Sequence, residues 1–560
     1  MPSERFTGLA AVLNAVRSEA GITQPVLTER VGLGRSVVAQ RVGELESAGL
    51  IAPDGLGPST GGRAPRRLRL RAEAGYVLAV DIATNELLVG LADLGGNLLE
   101  TRHEESDVSD GPEAVISAVE RMGDALLDEA GARDNLWTVG FGMPGPVAYD
   151  DGVATGMPTM PDWDRFPTRA RLSARWRAPV WMDNRVNLSA LGERRVNPLA
   201  AASRHTIYLG GGESIGAAVL IDGQIYRGAR GLAGEIGHVP VPEAADTVCR
   251  CGNVGCLDAV AGRTALVRDG RLLAETGQSP ALAAVLAESG VIRPVDITIA
   301  ADKGDPAARA LLHRSALLLG NSLASLVSVF NPDLVVLGGG MARARAHLIA
   351  AIREAIYRRA LPAATQDLKI EPSAVDMEIA GVIGAAQFAI DEIFAPEHLS
   401  VWLDHRSPAG RPEVATVNSR PSRCAVVAAS RTASRHPAEP CCTRSGTTSG
   451  VPIPPSNIWT PRTPTRCSHS RSRRMPSGST LPSIQCHHAR GRASSGGSQK
   501  PRHRASRSTA VPGVVRVRPW RRAAGPGWPP RAAPRVTGGP ARPTGAPARR
   551  SRRWRTGRRR

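Results

Sequence analysis

The feature that most constrains the fold is a regular alternation of short apolar runs and amphipathic helices, from about residue 75 to about residue 395. Runs of strand length, such as "YVLAVDIA" and "TIYLGGG", end in glycine or polar residues, and helical segments such as "PEAVISAVERMGDALLDEA" lie between them. This order is typical of α/β proteins, whose sheets are covered by helices. The length favours two lobes with a cleft between them, at 73–200 and 201–396, and the last helix is predicted to return to the first lobe.

Residues 1–72 follow a different pattern, with three short helices and then a Gly- and Pro-rich hairpin. In the third helix Val38, Val42 and Leu45 share one face, while the opposite face is polar and basic. This arrangement predicts a winged helix-turn-helix that binds double-stranded DNA, with a helix in the major groove and a flanking wing. A small three-helix domain with a solvated face is the alternative. The predicted DNA-binding residues are Arg35, Ser36, Gln40 and Arg41 in the third helix and Arg63 in the wing.

Charge is distributed very unevenly along the 560 residues. Of the 71 Lys and Arg residues, 33 lie from residue 401 onward, together with only three of the 51 acids, so the first 400 residues hold 38 bases and 48 acids. The basic character therefore belongs to the end of the chain. Lacking apolar periodicity, residues 397–560 are predicted to be a disordered basic tail, either an out-of-frame translation product or a nucleic-acid-binding segment.

No run of about 18 apolar residues and no signal peptide is apparent, which predicts a cytoplasmic protein with no membrane partner. In a reducing compartment, clustered cysteines indicate a metal site before a disulfide. One imidazole and three thiolates complete a tetrahedral zinc shell with no open position for water. The sequence therefore predicts one structural Zn²⁺, and reduced cysteines in a glycine-rich loop are the alternative. The predicted ligands are His238, Cys249, Cys251 and Cys256.

A second polar cluster stands in "VWMDNRVNLSALGERR", residues 180 to 195. Asp183, Asn184 and Arg185 come directly after an apolar run and before a helix, the place where α/β proteins commonly build a ligand site.

The stretch "AGEIGHVPVPEAADTVCRCGNVGCLDAVAG", preceded by a winged helix-turn-helix, strongly resembles the ROK family of repressors and sugar kinases. The most specific element is CxCGxxGC after ExGH, and the resemblance covers roughly residues 5 to 395. It implies the two-lobed actin-like ATPase fold, also called ribonuclease H-like. Some members of this family are glucokinases and others are transcription factors.

The resemblance also implies a set of groups that bind sugar hydroxyls. In sugar-binding members the second nitrogen of the zinc-bound histidine faces the sugar, beside the Glu of ExGH, an Asn after a strand and an acid after the last Cys. Loop caps and internal hydrogen bonds are the alternative roles for these residues. The corresponding residues here, with the arginine of the same cluster, are Asn184, Arg185, Glu235, His238 and Asp258.

The same resemblance places Arg185 where the kinases carry the aspartate that takes the proton from the sugar hydroxyl. A guanidinium has no acceptor atom and stays protonated, so Arg185 cannot be that base. Two roles remain open for it: it holds a ligand phosphate or carboxylate, or it pairs with Asp183 or Glu235 and closes the site.

The phosphate-binding loops depart from the kinase pattern as well. Where kinases of this fold have DxGGT, this chain has "DIATNE", in which Ala83 and Thr84 replace the glycines and Glu86 adds negative charge. Phosphate binding needs open backbone amides and no repelling carboxylate. The glycine runs "LGGGESIG" and "LGGG" are weak evidence for residual nucleotide binding.

The sequence therefore predicts a sugar-responsive DNA-binding transcriptional regulator, most simply a repressor, and not an enzyme. Its effector is predicted to be a sugar or sugar phosphate, and a homodimer is expected on an inverted repeat. An active ROK-type sugar kinase that phosphorylates hexoses with ATP is the alternative from another class. A regulator that no longer binds any small ligand is a third possibility.

Overall fold

The structure, a computed structural model, describes residues 3–57, 64–156, 159–212, 214–340 and 345–416. Its elements form a small N-terminal domain and two larger lobes, each built on a five-stranded sheet. The predicted wing residue Arg63 and the chain beyond residue 416 lie outside the described residues.

The N-terminal domain has the predicted winged helix-turn-helix architecture. Its helices are α1 (Glu4–Ser18), α2 (Gln24–Val31) and α3 (Arg35–Ser47), and its strands are β1 (Ile22–Thr23), β2 (Ile51–Leu56) and β3 (Arg66–Leu70). The strands form a sheet in the order β1-β3-β2. Val38, Val42 and Leu45 of α3 are buried, as their spacing predicts.

The two lobes repeat one topology. In chain order, the first sheet runs β6-β5-β4-β7-β10 and the second runs β13-β12-β11-β14-β15, so both have the order 3-2-1-4-5. In each, the first three strands are antiparallel and the last two are parallel to the first. This repeated α/β unit confirms the predicted two-lobed fold.

The elements of the first lobe are β4 (Tyr76–Ile82), β5 (Glu86–Asp93), β6 (Leu98–Glu105), α4 (Pro112–Glu129), β7 (Leu136–Met143), β8 (Val147–Ala148), β9 (Val153–Ala154), α5 (Thr168–Trp176), β10 (Val180–Asn184), α6 (Arg185–Val196) and α7 (Pro198–Ala202). Those of the second lobe are β11 (Thr206–Gly211), β12 (Ile215–Ile221), β13 (Gln224–Ile225), α8 (Asp258–Ala261), α9 (Arg263–Glu275), α10 (Pro280–Ser289), α11 (Pro294–Asp302), α12 (Pro306–Phe330), β14 (Leu334–Leu337), α13 (Arg345–Arg359), α14 (Pro362–Thr365) and β15 (Lys369–Pro372).

By length and composition alone, α12 could cross a membrane. One face of it is instead buried in the apolar core of the second lobe, through residues such as Leu319, Leu323 and Val327. The helix is therefore a core element of that lobe.

After the second sheet, the chain returns to the first lobe as α15 (Met377–Ile393). This helix lies so close to β7 that a Cβ on Gly140 would stand 2.0 Å from the carbonyl oxygen of Ala385. Only glycine permits that approach, which brings α15 directly against the sheet beside the cleft.

The ordered chain extends further than the sequence predicts. A helix α16 (Pro396–Trp402) and short 3-10 turns continue to Thr416, so the predicted start of a disordered tail at residue 397 is wrong by twenty residues. Leu399 and Trp402 are completely buried, in one apolar core that also contains Leu9 and Leu13 of α1. Leu399, Trp402 and Leu403, which follow Pro396 at helical spacing, pack this short segment into that core. The sequence does not reveal it readily, because the residues that follow are rich in Arg and Pro.

Candidate functional site

The cysteine cluster of the second lobe is assembled as predicted. The ligand atoms of His238, Cys249, Cys251 and Cys256 all lie within 4.8 Å of one another, a geometry that can hold a metal ion. The Cys251 and Cys256 sulfurs are 3.8 Å apart, and the Cys249 sulfur is 3.9 Å from His238 Nδ1. A tetrahedral zinc ion with bonds of about 2.0 to 2.3 Å separates its ligands by roughly 3.3 to 3.8 Å, so this cluster, in which the separations extend to 4.8 Å, would have to contract slightly around such an ion.

Next to the cluster lie the two predicted ligand-binding acids of the second lobe. Asp258 is buried at the start of α8, where one carboxylate oxygen accepts a hydrogen bond from the Ile215 amide at 3.0 Å. Its other oxygen lies 3.9 Å from Arg250 Nη2. Burial raises the pKa of the Glu235 carboxyl, and the nearby His238 partly offsets that rise. The second lobe thus brings Glu235, His238 and Asp258 into one neighbourhood.

The first lobe contributes Asn184, which also caps a helix. Its side-chain oxygen accepts a hydrogen bond from the Val186 amide at 2.7 Å, and its amide nitrogen donates to the Gly145 carbonyl at 2.9 Å. Both bonds fix the side chain at the start of α6, because Asn is a preferred N-cap residue. Of its polar atoms, one amide hydrogen and one oxygen lone pair are left for a ligand.

Arg185 has a partner that neither sequence-based alternative named. Its Nε lies 3.0 and 3.1 Å from the two carboxylate oxygens of Asp81, and its Nη2 lies 3.0 Å from one of them. Asp81 is only 2% exposed and the Arg185 side chain is 21% exposed, so the carboxylate is withdrawn from water while the guanidinium keeps some access to it. Burial lowers the pKa of the Arg185 guanidinium, but the Asp81 carboxylate raises it by more.

The ion pair joins the two altered parts of the kinase pattern, because Asp81 is the surviving acid of "DIATNE". A Cβ on Gly381 of α15 would stand 2.3 Å from an Asp81 carboxylate oxygen, so the helix must be bare at that point. In the same loop the Ala83 amide donates to the Glu86 carbonyl, and the chain turns directly from β4 into β5. Arg185, at the position where the resemblance expects the kinase base, thus pairs with the acid of "DIATNE".

Asp183, two residues before Arg185, is also fully engaged. It is 3% exposed and accepts hydrogen bonds from the Asn184 amide, from Asn187 Nδ2 and, at 2.8 Å, from Arg227 Nε. The Asp183 carboxylate is therefore paired within the protein.

Arg227 is the residue of this site that the sequence analysis missed. Its guanidinium carbon lies 4.4 Å from the ring centre of Tyr149 and 5.4 Å from that of Phe388. The available signal was its position in "IYRGARG", eight residues before the Glu of ExGH, but no spacing rule connects it to Asp183.

On the DNA-binding domain, α3 exposes Arg35, Ser36 and Gln40, as predicted. Arg41 does not belong to that face, and the prediction that it is exposed is wrong. Its side chain is 12% exposed, packs beside Gly8 of α1 and forms an ion pair with Glu44 at 2.6 Å. Glu44 also accepts from Arg5 of α1, so the Arg41–Glu44 pair is held at the contact between α1 and α3.

Comparisons with known proteins agree with this architecture. A model of the ROK family matches residues 77–392, and a model of a winged helix-turn-helix DNA-binding domain matches residues 11–52. The chain is 27% identical over 389 residues to the xylose repressor of Caldicellulosiruptor bescii, covering 69% of this chain and 96% of that protein. It is 29% identical over 320 residues to the glucokinase of Thermotoga maritima, covering 57% of this chain and 98% of that protein.

Among solved structures, a ROK family transcriptional regulator described as a homologue of the E. coli MLC protein superposes with a TM-score of 0.61 and 23% identity. The match covers 70% of this chain and 97% of that one. This likeness supports the fold, including the arrangement of a helix-turn-helix domain before the two lobes.

Proposed function

The chain belongs to the ROK family, and on that premise we propose that it is a sugar-responsive, DNA-binding transcriptional repressor without kinase activity. The observation that carries the proposal is the buried Arg185–Asp81 ion pair. A kinase needs a base at the position of Arg185 and open amides near Asp81. In this chain the two residues instead form an ion pair with each other.

Recognition of a sugar is supported by the groups that remain. Glu235, His238 and Asp258 of the second lobe and Asn184 of the first offer acceptors and donors on a fixed frame, which is what hydroxyl recognition requires. The xylose repressor and the glucokinase similar to this chain both bear the name of a neutral sugar or its kinase. Because the Asp81 carboxylate already neutralises Arg185 through Nε and Nη2, we assign the effector as a neutral sugar, not a phosphorylated one.

DNA recognition is assigned to the exposed face of α3. Arg35, Ser36 and Gln40 are exposed and can approach base edges, while Arg63, a predicted wing residue that lies outside the described residues, is assigned to the phosphate backbone. One module of this size covers a short half-site, so a homodimer on an inverted repeat is part of the proposal, as is a cytoplasmic location.

Zinc is proposed as the structural ion of the cluster formed by His238 and the three cysteines. When bound, it would hold the 249–256 loop beside His238 Nδ1 and so orient the histidine, leaving Nε2 for the ligand. Four protein ligands leave no open coordination position, so no catalytic role follows.

Footprinting on the DNA upstream of the protein's own gene, with and without D-xylose and D-glucose, tests the proposal. We expect a protected inverted repeat whose protection changes with one of the sugars. A parallel assay of ADP release with both sugars and ATP tests the rival kinase function, which the glucokinase similarity favours. Turnover by the wild-type protein would refute the absence of kinase activity, and an unprotected DNA with a sugar-dependent ADP signal would establish the rival.

A further inference from the structure

The segment between β13 and the ExGH motif belongs to the second lobe but reaches into the first. It is anchored in the second sheet at both ends, since the Tyr226 amide donates to the Val219 carbonyl and the Ala217 amide donates to the Gly234 carbonyl. Between those anchors Arg227 extends to Asp183 at the end of β10. Glu235, a predicted sugar contact, follows on the same segment. Movement of the sugar-binding motif is therefore mechanically connected to Arg227.

The guanidinium of Arg227 ends on an aromatic floor in the first lobe. Its two ring neighbours, Tyr149 and Phe388, have centres 6.1 Å apart, and Phe388 is 2% exposed. A guanidinium over aromatic faces is attracted to them, and the Arg227 side chain is only 24% exposed, so these contacts depend on how closely the two lobes approach. Phe388 belongs to α15, the helix that packs against the first sheet.

The same end of α15 contacts the DNA-binding domain. Asp391, three residues after Phe388 and about 4.5 Å further along the helix axis, forms an ion pair with Arg17 of α1. Arg17 is 16% exposed and its guanidinium carbon lies 5.8 Å from the ring centre of Phe394. Gln387 donates to Asp391 at 2.8 Å and holds that carboxylate in place.

A buried acid reinforces this end of the helix. Glu392 forms a hydrogen bond with Tyr149, and its backbone carbonyl bonds to His398 Nδ1 at 2.7 Å. The His398 ring lies 4.6 Å from that of Trp181, two residues before Asp183 on β10. The floor beneath Arg227 is thus continuous with α16 and with the core shared by α1.

We propose that Arg227 is the residue that reports closure of the cleft to the DNA-binding domain, through Phe388 and Asp391 at the end of α15 and from there to Arg17 of α1. The inference rests on the proposed function, because it concerns how the proposed sugar site acts on DNA. A bound sugar acts by favouring one lobe arrangement over another. In the arrangement described here Arg227 donates to Asp183 and faces Tyr149 and Phe388, and these contacts would change if the lobes moved. Arg227 is in this sense a positioning residue that need not touch the sugar.

The experiment measures two quantities separately on full-length protein: the affinity for D-xylose and D-glucose by calorimetry, and the affinity for the upstream DNA with and without each sugar. In the wild type, sugar should change DNA affinity by about 5- to 150-fold, the usual range of allosteric coupling. In Arg227→Met, which keeps much of the side-chain volume, sugar should still bind but should change DNA affinity less than about twofold. Arg230→Met, an exposed arginine on the same segment, is the matched control and should behave as wild type.

Asp391→Asn and Arg17→Gln test the contact between α15 and the DNA-binding domain, and they do so even if Arg227→Met does not fold. Both lie at the junction with the DNA-binding domain, and each should also uncouple DNA affinity from sugar while leaving sugar affinity unchanged. A full sugar response in Asp391→Asn and Arg17→Gln overturns the inference, as does a full response in a folded Arg227→Met. Loss of sugar binding in Arg227→Met with normal coupling in Asp391→Asn also overturns it, by making Arg227 a ligand contact. If neither sugar moves the wild-type DNA affinity, the proposed function fails and this inference fails with it.

Discussion

The two halves of the cleft have been treated differently. The second-lobe half keeps the cluster of His238 and three cysteines, with Glu235 and Asp258 beside it, in the geometry expected of a metal-organised binding site. In the first-lobe half, the two buried carboxylates are held in ion pairs: Asp81 with Arg185 of the same lobe, and Asp183 with Arg227, which reaches over from the second lobe. The two lobes therefore differ in how their polar groups are used: most of the predicted sugar-binding groups lie on the second lobe, whereas the buried acids of the first lobe are paired within the protein.

The largest effect is expected from disrupting the cluster of His238 and three cysteines in the second lobe. Cys256→Ser removes one thiolate from the cluster, and structural zinc sites commonly carry about 10 kcal/mol or more of binding free energy. We expect the zinc content to fall from about one ion per chain to near zero, and the melting temperature to fall by about 10 °C or more. Emission analysis and calorimetry measure the two effects. Cys424→Ser, outside the cluster, is the control; a Cys256→Ser protein that keeps both its zinc and its melting temperature would contradict the assignment.

Removing the Arg185–Asp81 ion pair of the first lobe should lower the free energy of unfolding by a smaller but still large amount. Arg185→Met leaves the Asp81 carboxylate buried without its partner, a situation that typically costs about 3–5 kcal/mol. Denaturant unfolding should show that loss, and adding Asp81→Asn should restore most of it, because the uncompensated charge is then gone. Arg204→Met serves as the matched control, since its ion pair with Asp222 is exposed and is expected to contribute less than about 1 kcal/mol. Equal losses at the two sites would show that the Arg185 pair is not special.

Glu392, which lies near Arg227 where the two lobes meet, should make the free energy of unfolding depend on pH. Burial raises the pKa of Glu392 to about 7, and its hydrogen bond with Tyr149 and the nearby Arg227 only partly offset that rise. Because the folded-state pKa exceeds the unfolded value, Glu392 does not lower stability below about pH 4.5. It lowers stability progressively up to about pH 7, by an amount of the order of 3 kcal/mol. Glu392→Gln should therefore gain stability relative to wild type as pH rises from 5 to 8. Parallel unfolding curves across that range for the two proteins would contradict the buried-acid assignment.

How far the sequence predicts these features depends on the separation of the residues involved. The zinc set spans only His238 to Cys256 and the apolar face of α3 repeats every three to four residues, so local spacing is sufficient for both. The partner of Arg185 lies 104 residues away and that of Arg227 lies 44 residues away. Such pairs are fixed by sheet topology and lobe contact, which a single sequence does not record. The same reason explains why Arg41 is read as exposed: its contact with Gly8 exists only after α1 packs on α3.

Two arginines of α3 sharpen the assignment of the DNA-binding surface. Arg35 is exposed, so Arg35→Ala should weaken operator binding by about 1 to 3 kcal/mol if it reads a base, with little change in folding stability. Arg41 is packed against α1, so Arg41→Ala should act mainly on the stability of the domain. Gel-shift titration and thermal unfolding of both variants separate the two effects. The reverse pattern would mean that Arg41 leaves Glu44 when the protein binds DNA.

The smallest effect is expected from removing the basic end of the chain after Thr416, the last residue that the structure describes. From residue 417 onward there are 31 of the 33 bases counted from 401, without Arg406 and Arg411, and one acid, Glu439. A protein ending at Thr416 keeps α16 and the buried Trp402, whose indole lies 5.4 Å from that of Trp137 and donates to the Ile393 carbonyl. We expect its melting temperature and operator specificity to match those of the full chain, with only non-specific DNA affinity at low salt reduced, because that affinity comes from charge.

A protein ending at Ala395 is the informative contrast, since it loses Leu399 and Trp402 from the core that α1 shares with the first lobe. Its melting temperature should fall by several degrees, and its DNA-binding domain should no longer be packed firmly against the first lobe. If both truncations melt alike, α16 contributes nothing to the fold, and the buried contacts of Trp402 would have to be replaced by others.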